Sequence, residues 1–380
     1  MEAKKKLVHI LMTDYQIDSR VRNETTSLFE EGYEVDVYCL KSKELNHDEI
    51  REQINLIRFG FISNKLINFL SAYFFMFFYS LNKKIDCIHA HDANALPIAY
   101  LIALIKGVPF IYDSHELWSQ SHHSISSKYI LNFIAFMEKF FAKKAKRIIT
   151  VSHSIEKYLE KHFDVQNIAV VRNIPSYVHE GTYDILREKF NINQESKICL
   201  YQGVISESRG VELIIKAAIN ICNKNKDIHF FFLGDGPYLD ELKTIVTNEH
   251  LETRIHILGK INQDDLLKYT MSADIGIHAI TNSCLNHEYC LPNKVFEYIH
   301  SGLVLVVTNL FELNNFVTEN QIGISFKDNC VKSLEESILK IIEDEELFLK
   351  FKNNSKNLAK LLTWKNESKE LIHLYSEILN

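Results

Sequence analysis

The chain is assembled from short runs that are apolar from end to end, each followed by a longer stretch of helical periodicity. "LVHILM" (7–12), "EVDVYCL" (34–40), "IDCIHAH" (85–91), "PFIYDSH" (109–115), "RIITVS" (147–152) and "IAVVRN" (168–173) alternate with helical segments such as 20–31, 95–106 and 128–146. A strand without a polar face has no side to give to water, so it belongs in a sheet covered by helices on both faces. Alternation of this kind makes the sheet parallel and the architecture doubly wound α/β. The pattern then restarts with "KICLYQG" (197–203), "IHFFFLG" (228–234), "RIHILG" (254–259), "DIGIHAI" (274–280), "LVLVVTN" (303–309) and "GISF" (323–326). The polar stretch "SYVHEGTYDILREKFNINQES" separates the two series and sets a boundary near Pro175. The spacing therefore predicts two Rossmann-like domains, 1–175 and 176–360, facing a central cleft, with a last amphipathic helix over 361–380.

A length of 380 residues fits two domains of ordinary size. The net charge of −6 supplies no basic field, so no nucleic-acid partner is expected. Seven cysteines without a CxxC pair point to a reducing, cytoplasmic setting. Leu7 to Met12 is too short for the apolar region of a signal peptide and reads as a first strand. The apolar stretch 66–81 holds five phenylalanines and two tyrosines between Lys65 and the Lys83–Lys84 pair. It falls short of the ~20 residues a spanning helix needs. Two readings stay open for it: a helix buried in a core, or a helix lying on the inner face of a membrane.

Several chemistries fail on spacing. "GDGPYL" supplies Gly234 and Gly236 but puts Leu239 where a dinucleotide fingerprint needs its third glycine, and no GxxxxGK[ST] occurs. "HAHD" offers His89, His91 and Asp92, and a later loop offers Cys284, His287 and Cys290. Neither is a complete ligand set, so no metal and no cofactor is expected.

Anion-binding signals are better formed. "YQGVISESRGVELIIKAA" reads as strand, Gly203, polar loop, Arg209 and helix, which brings free N–H groups and a cation together. In "LPNKVFEYI", Pro292 and Asn293 start a helix with Lys294 in its first turn, an unfavourable place for a cation unless an anion sits there. Glu297 lies three residues on, on the same face, where a carboxylate can hold a vicinal diol such as ribose. A plain surface pair between Lys294 and Glu297 is the competing reading.

These residues carry a family resemblance. The chain resembles the retaining nucleotide-sugar glycosyltransferases of family 4, which have the two-domain GT-B fold. The donor half resembles the family through "YQGVISESRGVELIIKA", "FLGDGPYLDELK", "RIHILGKINQDDLLKYTMSADIGIHA" and "LPNKVFEYIHSGLVLVV". The acceptor half does so through "DSRVRNETTSLFEEGYEVDV", "IHAHDANALPIA" and "FIYDSHELW". The resemblance implies that Glu297 binds the donor ribose and that Arg209 and Lys294 bind the diphosphate. Gly203, Gly234, Gly236, Pro292 and Asn293 would line the donor site, with the nucleobase read near Leu258. It implies an acceptor side built from Arg20, His91, Asp92, His115 and Glu116, with His115 close to the transferring sugar. Trp364 would open a helix that packs back on the first domain.

The implied reaction moves a sugar from a nucleotide-diphosphate donor, UDP- or GDP-linked, to a glycan or lipid-linked acceptor, with retention and without metal. It would serve cell-surface polysaccharide synthesis. The sequence departs from the family at Tyr289, eight residues before Glu297, where a glutamate is usual, and at Val204, where an arginine is usual. "MTDYQIDSR" replaces the usual glycine pair after the first strand, leaving Arg20 to serve there or to begin a helix. A nucleotide-sugar 2-epimerase and a non-catalytic partner subunit are the alternative readings.

Overall fold

The computed structural model describes residues 4–41, 48–51, 53–60, 64–121, 128–176 and 181–379. They form two compact units, Met1–Ser176 with Trp364–Asn380, and Tyr177–Thr363. In the first unit, β1 (Lys6–Ile10), β2 (Glu34–Leu40), β3 (Asp48–Arg51), β4 (Ile54–Phe59), β5 (Cys87–His91), β6 (Phe110–Ser114), β7 (Arg147–Thr150) and β8 (Ile168–Val170) make one sheet. Its order is β3-β4-β2-β1-β5-β6-β7-β8, parallel except for the β3–β4 pair. In the second unit, β9 (Lys197–Gln202), β10 (Ile228–Leu233), β11 (Ile255–Gly259), β12 (Ile275–His278), β13 (Val304–Thr308) and β14 (Gly323–Phe326) order as β11-β10-β9-β12-β13-β14. Strand order reverses at β1 in one sheet and at β9 in the other. The crevice beyond the C-terminal ends of the strands flanking such a reversal is where doubly wound sheets take ligands.

The sheets differ from the sequence reading at β3 and β4. "INLIRF" carries a polar Asn55 and a charged Arg58, which mask it as a buried strand. Arg58 is nevertheless buried, and its Nη1 meets Glu49 Oε2 of β3 at 2.8 Å. The antiparallel ribbon thus neutralises the charge that the apolar pattern could not accommodate.

The last helix, Trp364–Leu379, joins the core of the first unit through Trp364, Leu371, Leu374 and Tyr375. Trp364 Nε1 donates to Ser27 Oγ at 2.8 Å, and Arg172 makes a forked pair with Glu367. The helix Lys65–Leu81 starts at Asn64, whose side chain accepts from the Leu66 and Ile67 N–H groups. It buries Ala72 and Met76 and packs Tyr79 on Tyr38 and Phe59, but leaves Leu70, Phe74 and Phe78 exposed, so one face of 66–81 lies in the core and the other is open. Among the described residues, no helix is long and apolar enough to cross a membrane.

Candidate active site

In the first unit the strand ends converge on a buried polar cluster. Asp18 caps the helix Ser19–Glu30 by accepting from Val21 N–H, which sets Arg20 in the first turn facing the sheet. Arg20 Nε and Nη2 each donate to one oxygen of Asp113 at 2.8 Å, and Nη1 donates to the Val171 carbonyl at 2.6 Å. One turn on, Glu24 Oε1 lies 3.0 Å from Arg20 Nε. Arg20, expected at the acceptor surface, is therefore a buried structural cation with its donors committed. Burial opposes its charge, but Asp113 and Glu24 outweigh it and raise its pKa. Burial would likewise protonate Asp113, yet Arg20 and His115 hold that carboxyl well below its ordinary value. Glu24 is pushed the other way, by burial and by Asp113.

Four histidines meet at this point. His9 Nδ1 lies 2.9 Å from His91 Nε2, and His91 Nδ1 lies 3.1 Å from His115 Nε2. The Tyr375 hydroxyl bridges His89 Nδ1 at 2.7 Å and His9 Nε2 at 3.3 Å. His91, also expected on the acceptor side, is buried among these rings, and burial with the neighbouring His89 lowers its pKa to about 3. His115 is the partly open end of the chain. Burial works against its charge, but Asp92 and Asp113 lift it to about 10, so it is an imidazolium at neutral pH.

As an imidazolium, His115 donates its Nε2–H to Asp113 Oδ2 at 3.1 Å. His91 Nδ1 also lies 3.3 Å from Asp113 Oδ2, so the tautomer of His91 sets which way the contact with His9 runs. Asp92 adopts a left-handed backbone with φ of 63° and accepts the His115 N–H at 3.1 Å, and burial raises its carboxyl to about 6. Glu116 is half-buried, with its carboxylate 3.4 Å from Ser121 Oγ. Two overlapping sets, His9–Glu24–His89–His91 and His91–Asp113–His115, bring possible metal-ligating atoms within 4.8 Å of one another. Arg20 contacts a carboxylate in each set, and the ring nitrogens largely bond one another.

The second unit carries the other cluster. Gly203 follows β9 with φ of 130°, and a Cβ there would come 2.9 Å from Lys294 Nζ. Gly234 packs so closely that its Cβ would overlap the Gly203 carbonyl oxygen, which forces the two loops together. Gly236, in the same loop, takes its N–H to Asp235 Oδ1 at 2.8 Å, and Leu258 is half-buried on β11. Pro292 sits at the N-cap of the helix Asn293–His300 and cannot donate there. Lys294 Nζ lies over the Tyr201 ring, 4.3 Å from its centroid. Burial and the like charge of Arg209 lower Lys294 to about 7, with Glu297 opposing.

Lys294 makes no ion pair within 4.0 Å among the described residues, so the Lys294–Glu297 surface pair is not formed. Glu297 instead accepts from Gln202 Nε2, while Gln202 Oε1 accepts from Thr270 Oγ1 at 2.7 Å. Arg209 is exposed at the end of a short 3-10 turn. Glu288 accepts from Asn282 Nδ2 at 2.6 Å and from Phe311 N–H at 3.0 Å, so it serves the loop. One residue escaped the sequence reading: His278 ends β12 fully buried, and neither ring nitrogen has a partner among the described residues. Burial, then Lys294 and Arg209, keep it neutral.

Comparison with known proteins follows the same division. A profile described as Glycosyltransferase Family 4 matches residues 18–174, and one described as Glycosyl transferases group 1 matches residues 182–358. The chain is 25% identical to an uncharacterized glycosyltransferase of Methanocaldococcus jannaschii, over 64% of its own length and 61% of the relative's. It is 20% identical to the alpha-monoglucosyldiacylglycerol synthase of Streptococcus pneumoniae, over 81% of this chain and 71% of that one. The solved structure of Anabaena HepE in complex with UDP shares the fold with a TM-score of 0.78 at 15% identity, covering 98% of this chain and 100% of that one. With one profile on each unit and the two-sheet architecture in common, the chain is a glycosyltransferase of the family 4 kind, built on the GT-B fold.

Proposed function

We propose that the chain transfers a sugar, with retention and without a catalytic metal, from a UDP- or GDP-sugar to a glycan or lipid-linked acceptor in the synthesis of a surface polysaccharide or glycolipid. The observation that carries this reading is the pair Arg209 and Lys294, two cations beside a reversal in strand order with no carboxylate bonded to either among the described residues. A diphosphate would relieve their mutual repulsion and restore the proton that Lys294 holds weakly. The solved structure of HepE with UDP supports the choice of nucleotide class.

As the anomeric C–O bond to the β-phosphate breaks, its electron pair stays on the phosphate oxygen, where Arg209 and Lys294 stabilise the growing charge. The acceptor hydroxyl forms the new bond on the same face and passes its proton to the departing phosphate. Glu297, steadied by Gln202, would hold the ribose diol. His115, being a cation, would donate a hydrogen bond to a sugar or acceptor oxygen and would not act as a base. Isothermal titration with UDP-glucose and GDP-mannose, followed by NMR of the anomeric proton in the product, tests the reading. Failure to bind any nucleotide sugar, or an inverted product, overturns it.

A further inference from the structure

The helices Lys65–Leu81, Leu96–Lys106 and Lys128–Ala142 of the first unit lie side by side, the middle one packed against both neighbours. Each turns an apolar stripe outward. On the first, Leu70, Phe74 and Phe78 recur at four-residue spacing and are 50–58% exposed. Leu104 on the middle helix is 62% exposed, and Phe133 and Phe136 on the third are 61% and 63% exposed. Scattered exposed apolar residues need no explanation, but three adjoining stripes mark an interaction face.

The charges say what covers it. Residues 65–84, 96–107 and 128–147 hold ten lysines and arginines and one acid, Glu138, in a chain whose net charge is −6. Glu138 is buried, where it accepts from the Tyr112 hydroxyl at 2.7 Å. Lys84, Lys143 and Arg147 pair with Asp86, Asp164 and Glu377, whereas Lys83, Lys106, Lys144 and Lys146 make no ion pair among the described residues. The three helices are crossovers between parallel strands and run in the same sense, which sets Lys83, Lys106, Lys144 and Lys146 along one edge. The side chain of Lys65 lies outside the described residues. A second copy of the chain would bring lysine against lysine across this face. An anionic surface complements it.

We propose that the three-helix face docks on an anionic lipid bilayer, with its aromatic stripes at the acyl boundary and its lysines among the headgroups. The stripe on Lys65–Leu81 is linked to the polar strand ends, because the Tyr73 hydroxyl donates to the carbonyl of Asn94, two residues after Asp92. Docking would therefore hold the acceptor-side loop at the lipid surface. This inference rests on the surface of the first unit and needs no nucleotide.

The test is flotation of the full chain, without nucleotide and at low salt, with vesicles of mixed phosphatidylglycerol and phosphatidylcholine or of phosphatidylcholine alone. The wild type should float with the anionic vesicles only. Phe133→Ser/Phe136→Ser and Phe74→Ser/Phe78→Ser should each lower the bound fraction at least ~10-fold. Lys144→Gln/Lys146→Gln should weaken binding and flatten its salt dependence. Leu349→Ser, on an exposed apolar site of the second unit, should change nothing. These positions are exposed, so circular dichroism and Tm should stay at wild-type values. Wild type that remains at the bottom overturns the proposal, as does binding that survives both double phenylalanine substitutions. Sedimentation velocity showing dimers that the same substitutions dissolve, with no vesicle binding, would assign the face to a second copy instead.

Discussion

At the ends of β1, β5 and β6 the first unit buries Arg20, Asp113 and Glu24 together and links four histidines to Tyr375. At the ends of β9 and β12 the second unit leaves Arg209 and Lys294 without a carboxylate and His278 without a hydrogen bond among the described residues. Both clusters occupy the position where such sheets take ligands, yet one is nearly complete in itself and the other lacks an anion. A charge already paired inside a protein serves rigidity, since its partner has been chosen by the fold. A charge left unpaired at a site is available to a ligand, which is where binding energy can be directed to a transition state.

The largest expected effect comes from separating the paired charges. Asp113→Asn leaves the Arg20 guanidinium buried against a neutral amide, and removing one partner of a buried pair costs about 3–5 kcal/mol. Urea unfolding should register a loss of that size. Lys294→Ala should cost less than ~1 kcal/mol or even stabilise, because it removes an unpaired, half-buried cation. Equal losses for the two variants would erase the distinction between the units.

Turnover should show the reverse. Arg209→Ala and Lys294→Ala should each lower kcat on the order of 10²-fold, by analogy with the loss of one preorganised electrostatic donor. Activity should persist in a chelator, since protein cations carry the leaving-group charge. Normal turnover in both variants, or dependence on an added divalent ion, would contradict the role given to this cluster.

Smaller changes should follow at the residues around the cations. Glu297→Gln should weaken nucleotide-sugar binding by about 1.5–3 kcal/mol, the range for a hydrogen bond to a charged group, with little change in Tm. His278→Ala should weaken it about tenfold, because an orphaned imidazole finds its partner only when the ligand arrives. Titration calorimetry reads both. A His278→Ala variant with wild-type affinity would make its unpartnered ring a packing feature alone.

What the sequence disclosed follows the same contrast. The parallel strands were legible because burial on both faces makes them apolar throughout. Lys294 stands out because a cation in the first turn of a helix is unfavourable without an anion, Arg209 because a strand, a glycine and a helix start surround it, and Glu297 because it lies three residues from Lys294 on the same face. The paired cluster was not legible. Tyr375 meets His9 across a separation of 366 residues and Arg20 meets Asp113 across 93, so no local pattern announces either contact. Without those partners, Arg20 was read as an acceptor-side group or a helix start, and His91 as an incomplete metal ligand or an acceptor-side group. His278 was hidden for a different reason: it closes the apolar run of β12 and looks like the end of a strand.

A dependence of stability on pH, which the two clusters nearly cancel in the wild type, distinguishes them by its sign. The unfolded lysine keeps its proton to about 10.4, whereas folded Lys294 gives it up near 7. Between those values the unfolded chain holds more protons, so the contribution of Lys294 to stability rises with pH. His115 behaves oppositely. Its folded pKa is raised to about 10 from an unfolded value of about 6.5, so its contribution is complete below about 6.5 and is lost as pH rises through 10. From pH 7 to 10 the two slopes oppose each other, and the wild type should show a nearly flat profile. Lys294→Met should leave a stability that falls with pH, and His115→Gln one that rises. The same proton governs donor affinity. If UDP-glucose binds only the charged lysine, its affinity should weaken ~5-fold between pH 7 and 8, and Lys294→Arg should remove that dependence. Parallel slopes in the Lys294→Met and His115→Gln variants would mean that the two clusters do not differ in the way their charges are held.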